Sequence, residues 1–384
     1  MKKAMKQSLM ITLLICFYVS VGSALAQESD TPDFTVQRVA TGLQNPRGIA
    51  VLPDGRLIVA EAGRGKNDEP DGRISLFQDL NADGDYDDPG EITPIQSGLP
   101  SYNILYQFQP ARDEVMGLGD VLLLEDGRVL FTLDDNFEAI TLQQLNPDLS
   151  QAAPLLTRSG TMNALAYSPQ TERLYVAEST ANIISTITLD GVITPFVSFP
   201  LLENGQQAVP AGLTIDPTTG DVLVALFSGQ IWDYYGTILS FMVGDAKIIR
   251  VDPHTGETSD MITGLTTAID IAADENGNIF VAEMSTRWPT PTLHHTFDVH
   301  NPNAPPDDGG YARFSGRISL YPADGGPPII LMDDVDAPTN LTYQAGVLYV
   351  SVGQGTPGRP IWGREGRTRI TGEIYKITFS SSGG

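Results

Sequence analysis

The ten residues Asp79 to Asp88, DLNADGDYDD, are the densest run of metal-ligating side chains in this sequence. Asp79, Asn81 and Asp83 alternate, Gly84 offers a sharp turn, Asp85 can present its carbonyl, and Asp87 follows. Hard oxygen donors at that spacing suit Ca²⁺. The twelfth loop position is Gly90, where a bidentate glutamate is usual, and Glu91 stands one residue late. The expectation is a structural calcium ion on Asp79, Asn81, Asp83, Asp85 and Asp87. The competing reading is a polar hairpin of Asx turns. Glu61, Glu178 and Glu283 recur after similar apolar runs and could act as acid and base or bind metal. Such a repeat equally suits hydrogen bonding between structural units. His294, His295 and His300 cluster with Asp298, as metal ligands do and as solvated loops also do. Neither a G-x-S-x-G nucleophile motif nor a phosphate-binding glycine loop between strand and helix occurs.

A second concentration is aromatic and basic. Trp232, Trp288 and Trp362, together with Tyr102, Tyr106, Phe108, Tyr311 and many arginines, fall in four long segments between short apolar runs. Loops this long in a compact domain are usually functional. Tyr106, Trp232, Trp288 and Trp362 are therefore candidate ligand-binding residues. The alternative is a lid that packs on itself. Aromatic and arginine side chains together suit a planar or anionic small molecule.

The elements that position these residues repeat six times. Gly48 to Ala62, GIAVLPDGRLIVAEA, reads as strand, tight turn and strand. Variants start near residues 115, 161, 209, 267 and 338, the first near 45. A third strand follows each pair, as in GRISLF (Gly72 to Phe77), and a fourth follows most. Four antiparallel strands at a period of about 45 residues are the signature of a propeller blade. The sixth copy lacks its fourth strand, and Phe34 to Leu43 supplies a spare one. The fold expected is all-β: a six-bladed β-propeller of four-stranded blades, closed by the N-terminal strand, one domain over 27–384. In that ring the long loops share one face. The starts of the first strands line the channel mouth there: Arg47, Met116, Asn163, Ala211, Ile269 or Asp270, and Thr339 or Asn340. Arg47, Asn163, Asp270 and Asn340 join the ligand candidates, and the calcium loop falls on the opposite face.

The first 26 residues read as a secretory leader: three early lysines, an apolar run from Leu9 to Val21, and cleavage after Ala26. The one cysteine, Cys16, lies within it, so the remainder has no disulfide or thiolate site. Export to the periplasm or the medium is expected. The net charge of −24 argues against nucleic acid and anionic membranes as partners, and no other apolar run approaches spanning length.

At Asn45 to Gly65, NPRGIAVLPDGRLIVAEAGRG, and again at Gly98 to Ser101, the chain resembles the secreted propellers of the ScyD/ScyE family. That resemblance implies a six-bladed propeller and no established reaction. The same first-blade stretch is similar to soluble sugar dehydrogenases that use pyrroloquinoline quinone. Their catalytic histidine sits in an early blade, whereas the histidines here begin at His254. Met162 to Pro169, MNALAYSP, is similar to a strand of gluconolactonase-like (SMP-30) propellers whose asparagine is a metal ligand, matched by Asn163. The family's other two ligand positions read Arg47 and Ala211, so the resemblance implies one retained ligand of the set. The function expected is an exported binding propeller for a small organic or carbohydrate ligand. An enzyme of lactonase or sugar-dehydrogenase type with a rebuilt site is the alternative, and a protein-interaction scaffold with a flat apolar rim is a third.

Overall fold

The computed structural model describes residues 33–106, 112–135, 139–229, 231–232, 238–239, 241–294 and 296–380. The inner strand of each blade opens the repeat. They are Pro46–Val51, Leu118–Leu123, Leu165–Ser168, Pro210–Ile215, Ala268–Ala273 and Asn340–Gln344, for blades one to six. Each pairs antiparallel with a second strand, that with a third, and that with a fourth, giving six separate four-stranded sheets. Inner strands of neighbouring blades abut, including blade six against blade one, so the sheets form a ring. The expected six-bladed propeller is therefore the fold.

Blade packing follows from period two. The second strands Leu57–Glu61, Val222–Leu226 and Ile279–Glu283 are buried at every position, because both sheet faces meet a neighbouring blade. Outer strands such as Thr258–Leu265 and Ile92–Leu99 are largely exposed or half-buried, with Leu265 the buried exception at its end. Six apolar clusters each join two adjacent blades; in one, Ala166, Tyr175 and Ile184 of blade three pack with Leu213, Val224 and Ile249 of blade four.

Phe34–Leu43 pairs antiparallel with Gly372–Phe379, the third strand of blade six, and completes that blade. Val39, Ala40 and Leu43 are buried between blades six and one with Ile49, Phe77 and Tyr349. The acidic loop after Gly72–Phe77 grips the same strand. The Tyr86 amide donates to the Val39 carbonyl at 2.7 Å, the Thr41 amide donates to Asp87 Oδ1 at 2.9 Å, and Gln37 reaches the Gly84 carbonyl.

Candidate functional site

One position recurs around the channel. Ile49, Val121, Leu165, Leu213, Ile271 and Leu341 each stand opposite an apolar residue of their own second strand. The residue before each is Gly48, Asp120, Ala164, Gly212, Asp270 and Asn340. Two aspartates thus occupy blades two and five, three blades apart in a ring of six and so across the channel from each other. β-Bulges interrupt both inner strands there, between Leu118 and Val121 and between Ala268 and Asp270, and bulges re-aim side chains. The preceding blade makes room with glycine in both cases. A Cβ on Gly48 would stand 2.2 Å from the Val121 nitrogen, and one on Gly212 would stand 2.4 Å from Asp270 Oδ1.

Each aspartate also bridges to the following blade. Asp120 Oδ2 accepts from the Leu165 amide at 2.8 Å, and Asp270 Oδ2 accepts from the Leu341 amide and Asn340 Nδ2, both at 2.8 Å. Burial nevertheless disfavours the charged forms. Asp120 is pushed up to about 6, against the pull of its amide donors. Burial and then the Asp120 charge hold Asp270 well above the ordinary carboxylate range. Two carboxyls that resist ionising together make a pair able to hold and pass a proton.

Above this waist the channel narrows into a mouth of about 70 Å³, lined by Arg47, Met116, Asn163, Ala211, Asp270, Thr339 and Asn340. Arg47, Asn163, Asp270 and Asn340, named from sequence as ligand candidates, are thus brought together from blades one, three, five and six. Below it a wider vestibule of about 530 Å³, lined mostly by aliphatic residues, opens on the opposite face. The mouth continues upward into a cleft of about 290 Å³, which shares Glu114, Asn163, Ala211 and Ile269 with it. Phe227, Met284 and Tyr311 from the long loops form the cleft's apolar side, with Gln207, Ser179 and Thr180 along the edge. Tyr311 is buried, stacks on Phe241 at 6.1 Å, lies under the Arg112 guanidinium, and donates its hydroxyl to Glu114. Burial raises the Tyr311 hydroxyl above its usual range, so it stays a donor at all ordinary pH values.

Three insertions are tied into a layer over this face. Asp113, on the link into blade two, is buried with Arg359 of the blade-six insertion in an ion pair. Asp113 also accepts from Asn103 Nδ2 and from the Thr356 amide and hydroxyl. Burial alone would raise its carboxyl, but Arg359 and these donors outweigh it and hold Asp113 below the ordinary value. Arg359 also reaches the Asp307 carbonyl of the blade-five insertion, and Arg313 binds the Gln354 carbonyl and Asp336. Leu105, Leu293, Val299 and Phe297 give the layer a small core of its own. Part of the aromatic content predicted to face a ligand is thus lid packing.

The remaining candidates fall elsewhere. Trp288 and Trp362 are exposed, at 57% and 58%, and line neither mouth nor cleft. Tyr106 lies in a short 3₁₀ turn, Ile104–Tyr106, and Trp232 in a two-residue strand paired with Ile238–Leu239; both side chains lie outside the described residues. Phe108 and His295 lie outside them altogether. In the acidic loop Asp79 accepts from the amides of Ala82 and Gly84, Asp83 from that of Asp85, and Asp85 from that of Asp87. Buried Glu91 accepts from the amides of Leu80 and Asp88. Among the described residues no three His, Cys, Asp or Glu side chains are gathered as metal ligands would be. His294 bonds Thr296, and His300 is half-buried near Gly65, both outside the mouth. Glu61 pairs with Arg73 and Ser75 of its own blade, Glu178 with Ser185 of its own blade and Arg158 at the end of blade two, and Glu283 accepts from the Thr266 amide on the link from blade four, so the repeated glutamates bond protein groups within and between blades.

Asp120, Glu114 and Asp134 are acidic mouth residues that the sequence pattern did not reveal. Met116 was expected to open blade two and does line the mouth, but the strand itself begins at Leu118 and bulges. Superposing Val121-Leu122-Leu123-Leu124 on Ile49-Ala50-Val51-Leu52, with the bulge allowed, would have put Asp120 in register with Gly48.

Comparison with known proteins agrees with this fold. No curated protein sequence matches. Among solved structures, a Bacteroides thetaiotaomicron protein of unknown function is similar at a TM-score of 0.55 and 11% identity, over 91% of this chain and 76% of that one. The PQQ-bound aldose sugar dehydrogenase of Streptomyces coelicolor is similar at 0.50 and 16%, over 91% of this chain and 100% of the other. A protein described as a gluconolactonase is similar at 0.50 and 12%, over 90% and 92%. At these identities the likeness is one of fold. The SMP-30/Gluconolactonase/LRE-like region model, however, matches residues 28–269, from before the closing strand into the inner strand of blade five, and so takes in Arg47, Asn163 and Ala211. With well over half of its length matched, the chain belongs to the SMP-30/gluconolactonase/LRE-like family.

Proposed function

We propose that this protein is exported and binds a small organic or carbohydrate molecule at the channel mouth, on the long-loop face. One observation carries the reading. Arg47, Asn163, Asp270 and Asn340, from four blades, converge on a polar mouth that opens into the cleft beside Phe227, Met284 and Tyr311. Concave sites with an apolar wall and a few convergent polar groups are where small ligands bind. The leader-like first 26 residues support export. A structural calcium ion in the Asp79–Asp87 loop is part of the same proposal.

The second reading is a lactonase with a rebuilt site. Family membership and the Asp120–Asp270 pair favour it, since a carboxyl kept protonated near neutrality can serve as a general acid. Against it, two positions of the lactonase metal centre read Arg47 and Ala211. The two are separated by titrating the purified protein with aldonic acids, sugars and sugar lactones, following melting temperature for binding and acid release for lactone hydrolysis. Ligand-dependent stabilisation that is lost in Asn163→Ala, without acid release, supports binding. Acid release that is lost in Asp270→Asn would replace it with the enzymatic reading. Neither effect with any compound would remove both.

A further inference from the structure

Arg47 makes no direct salt bridge with a carboxylate among the described residues, and the acidic side chain that attracts it is Glu114, already bonded to Tyr311. Its Nη2 donates to the Val115 carbonyl at 2.6 Å and lies 3.5 Å from Met116 Sδ, while its buried Nε has no partner. No carboxylate within the described residues forms an ion pair with it. The chain as a whole carries a net charge of −24, yet this arginine makes no direct ion pair among the described residues. Burial weakens the hold of the Arg47 guanidinium on its proton, an electrostatic cost that a bound anion would offset.

We infer that the mouth takes the carboxylate of a small organic acid on Arg47, with the acid's apolar or aromatic body in the adjoining cleft. This rests on the reading of the mouth as a ligand site and names the ligand's class. Arg47 lines the mouth, and a planar guanidinium with free N–H groups is the side chain best matched to a carboxylate. The neighbouring acidic groups are already engaged, and buried Asp134, which also lines the mouth, interacts with the Tyr102 hydroxyl. Glu114 accepts from the Tyr311 hydroxyl and lies 3.7 Å from Arg112, and Asp120 and Asp270 accept from the amides of blades three and six.

Size agrees. The mouth, at about 70 Å³, has space comparable to two or so water molecules, which is what the two oxygens of a carboxylate need. The cleft, at about 290 Å³, lies at the small end of ligand pockets and suits one ring. Phe227, Met284 and Tyr311 give that ring an apolar wall. Asn163, shared by mouth and cleft, stands where it can donate to a second ligand oxygen.

The test pairs acids with their neutral isosteres. Benzoate, phenylacetate and cyclohexanecarboxylate are titrated into the purified protein beside benzamide, phenylacetamide and cyclohexanecarboxamide, by calorimetry and thermal shift. Expected is a rise in melting temperature with the acids at millimolar concentration and none with the amides. Arg47→Met should lose roughly tenfold or more in acid affinity, and Arg47→Lys should lose less. The melting temperature of unliganded Arg47→Met reports whether that variant folds, and the lysine variant keeps the test open if it does not. Acid and amide binding equally, with both lost in Phe227→Ala, would overturn the carboxylate while leaving the ligand site standing. Acid affinity unchanged in Arg47→Met, or no acid binding at all, would overturn the inference outright.

Discussion

Asp270 keeps its carboxyl in the channel at the expense of its charge. Burial and the facing Asp120 raise it well above the ordinary 3.8, so the folded chain holds this proton more tightly than the unfolded chain does. Stability from such a group is greatest in acid and declines as pH rises from about 4 through the raised value. Asp270→Asn removes the titration and keeps an oxygen to accept from Leu341 and Asn340. Its melting temperature relative to the parent should therefore improve from pH 4 to pH 8. A pH-independent difference in paired melts would show that the charge is not what the fold resists. The glycine beside it is equally specific: Gly212→Ala drives a methyl into Asp270 and should destabilise by about 1–3 kcal/mol in denaturant titration.

At the level of elements, the insertions of blades five and six and the link into blade two act as one layer because Asp113 and Arg359 are fully buried together. Removing one partner strands the other charge. Asp113→Ala should cost about 3–5 kcal/mol by chemical denaturation, and amide exchange should quicken in 101–106 and 353–371 together. Exchange that quickened in one segment alone would mean the loops are independent. The acidic loop is a second clamp, because its backbone and Asp87 hold the closing strand at Val39 and Thr41. If it carries calcium, a chelator should lower the melting temperature, and Asp83→Ala should abolish that response. A melting temperature indifferent to chelator would remove the ion from the proposal.

For the whole molecule, closure is the decisive contact. The strand Phe34–Leu43 is the outer strand of blade six, and without it the Gly372–Phe379 edge is bare. Burying Val39 and Leu43 contributes about 1.5–3 kcal/mol each, against a total stability of about 5–15 kcal/mol for a typical domain. A chain beginning at Gln44 should therefore express as an aggregating or strongly destabilised protein, and adding the missing strand as a peptide should raise its melting temperature. A truncated chain that melts like the parent would mean the ring holds without its latch.

The six repeats, the missing outer strand, the face of the long loops and the convergence of Arg47, Asn163, Asp270 and Asn340 were all written in the sequence. Turn residues, period-two burial and strand count are local properties, and the ring follows from them by counting. What the sequence left open depended on registers that local pattern does not carry. A bulge in blade two shifts Asp120 onto the channel and opposite Asp270, while the run around it still reads as an ordinary strand. Trp288 and Trp362 resembled ligand contacts by type and loop, yet they point to solvent. Tyr311, Arg359 and Asp113, ordinary residues of long loops in one dimension, become the cleft wall and the buried clamp. Loop side chains take their partners from distant segments, 246 residues away in the case of Asp113 and Arg359, and only the folded ring decides which of them meet.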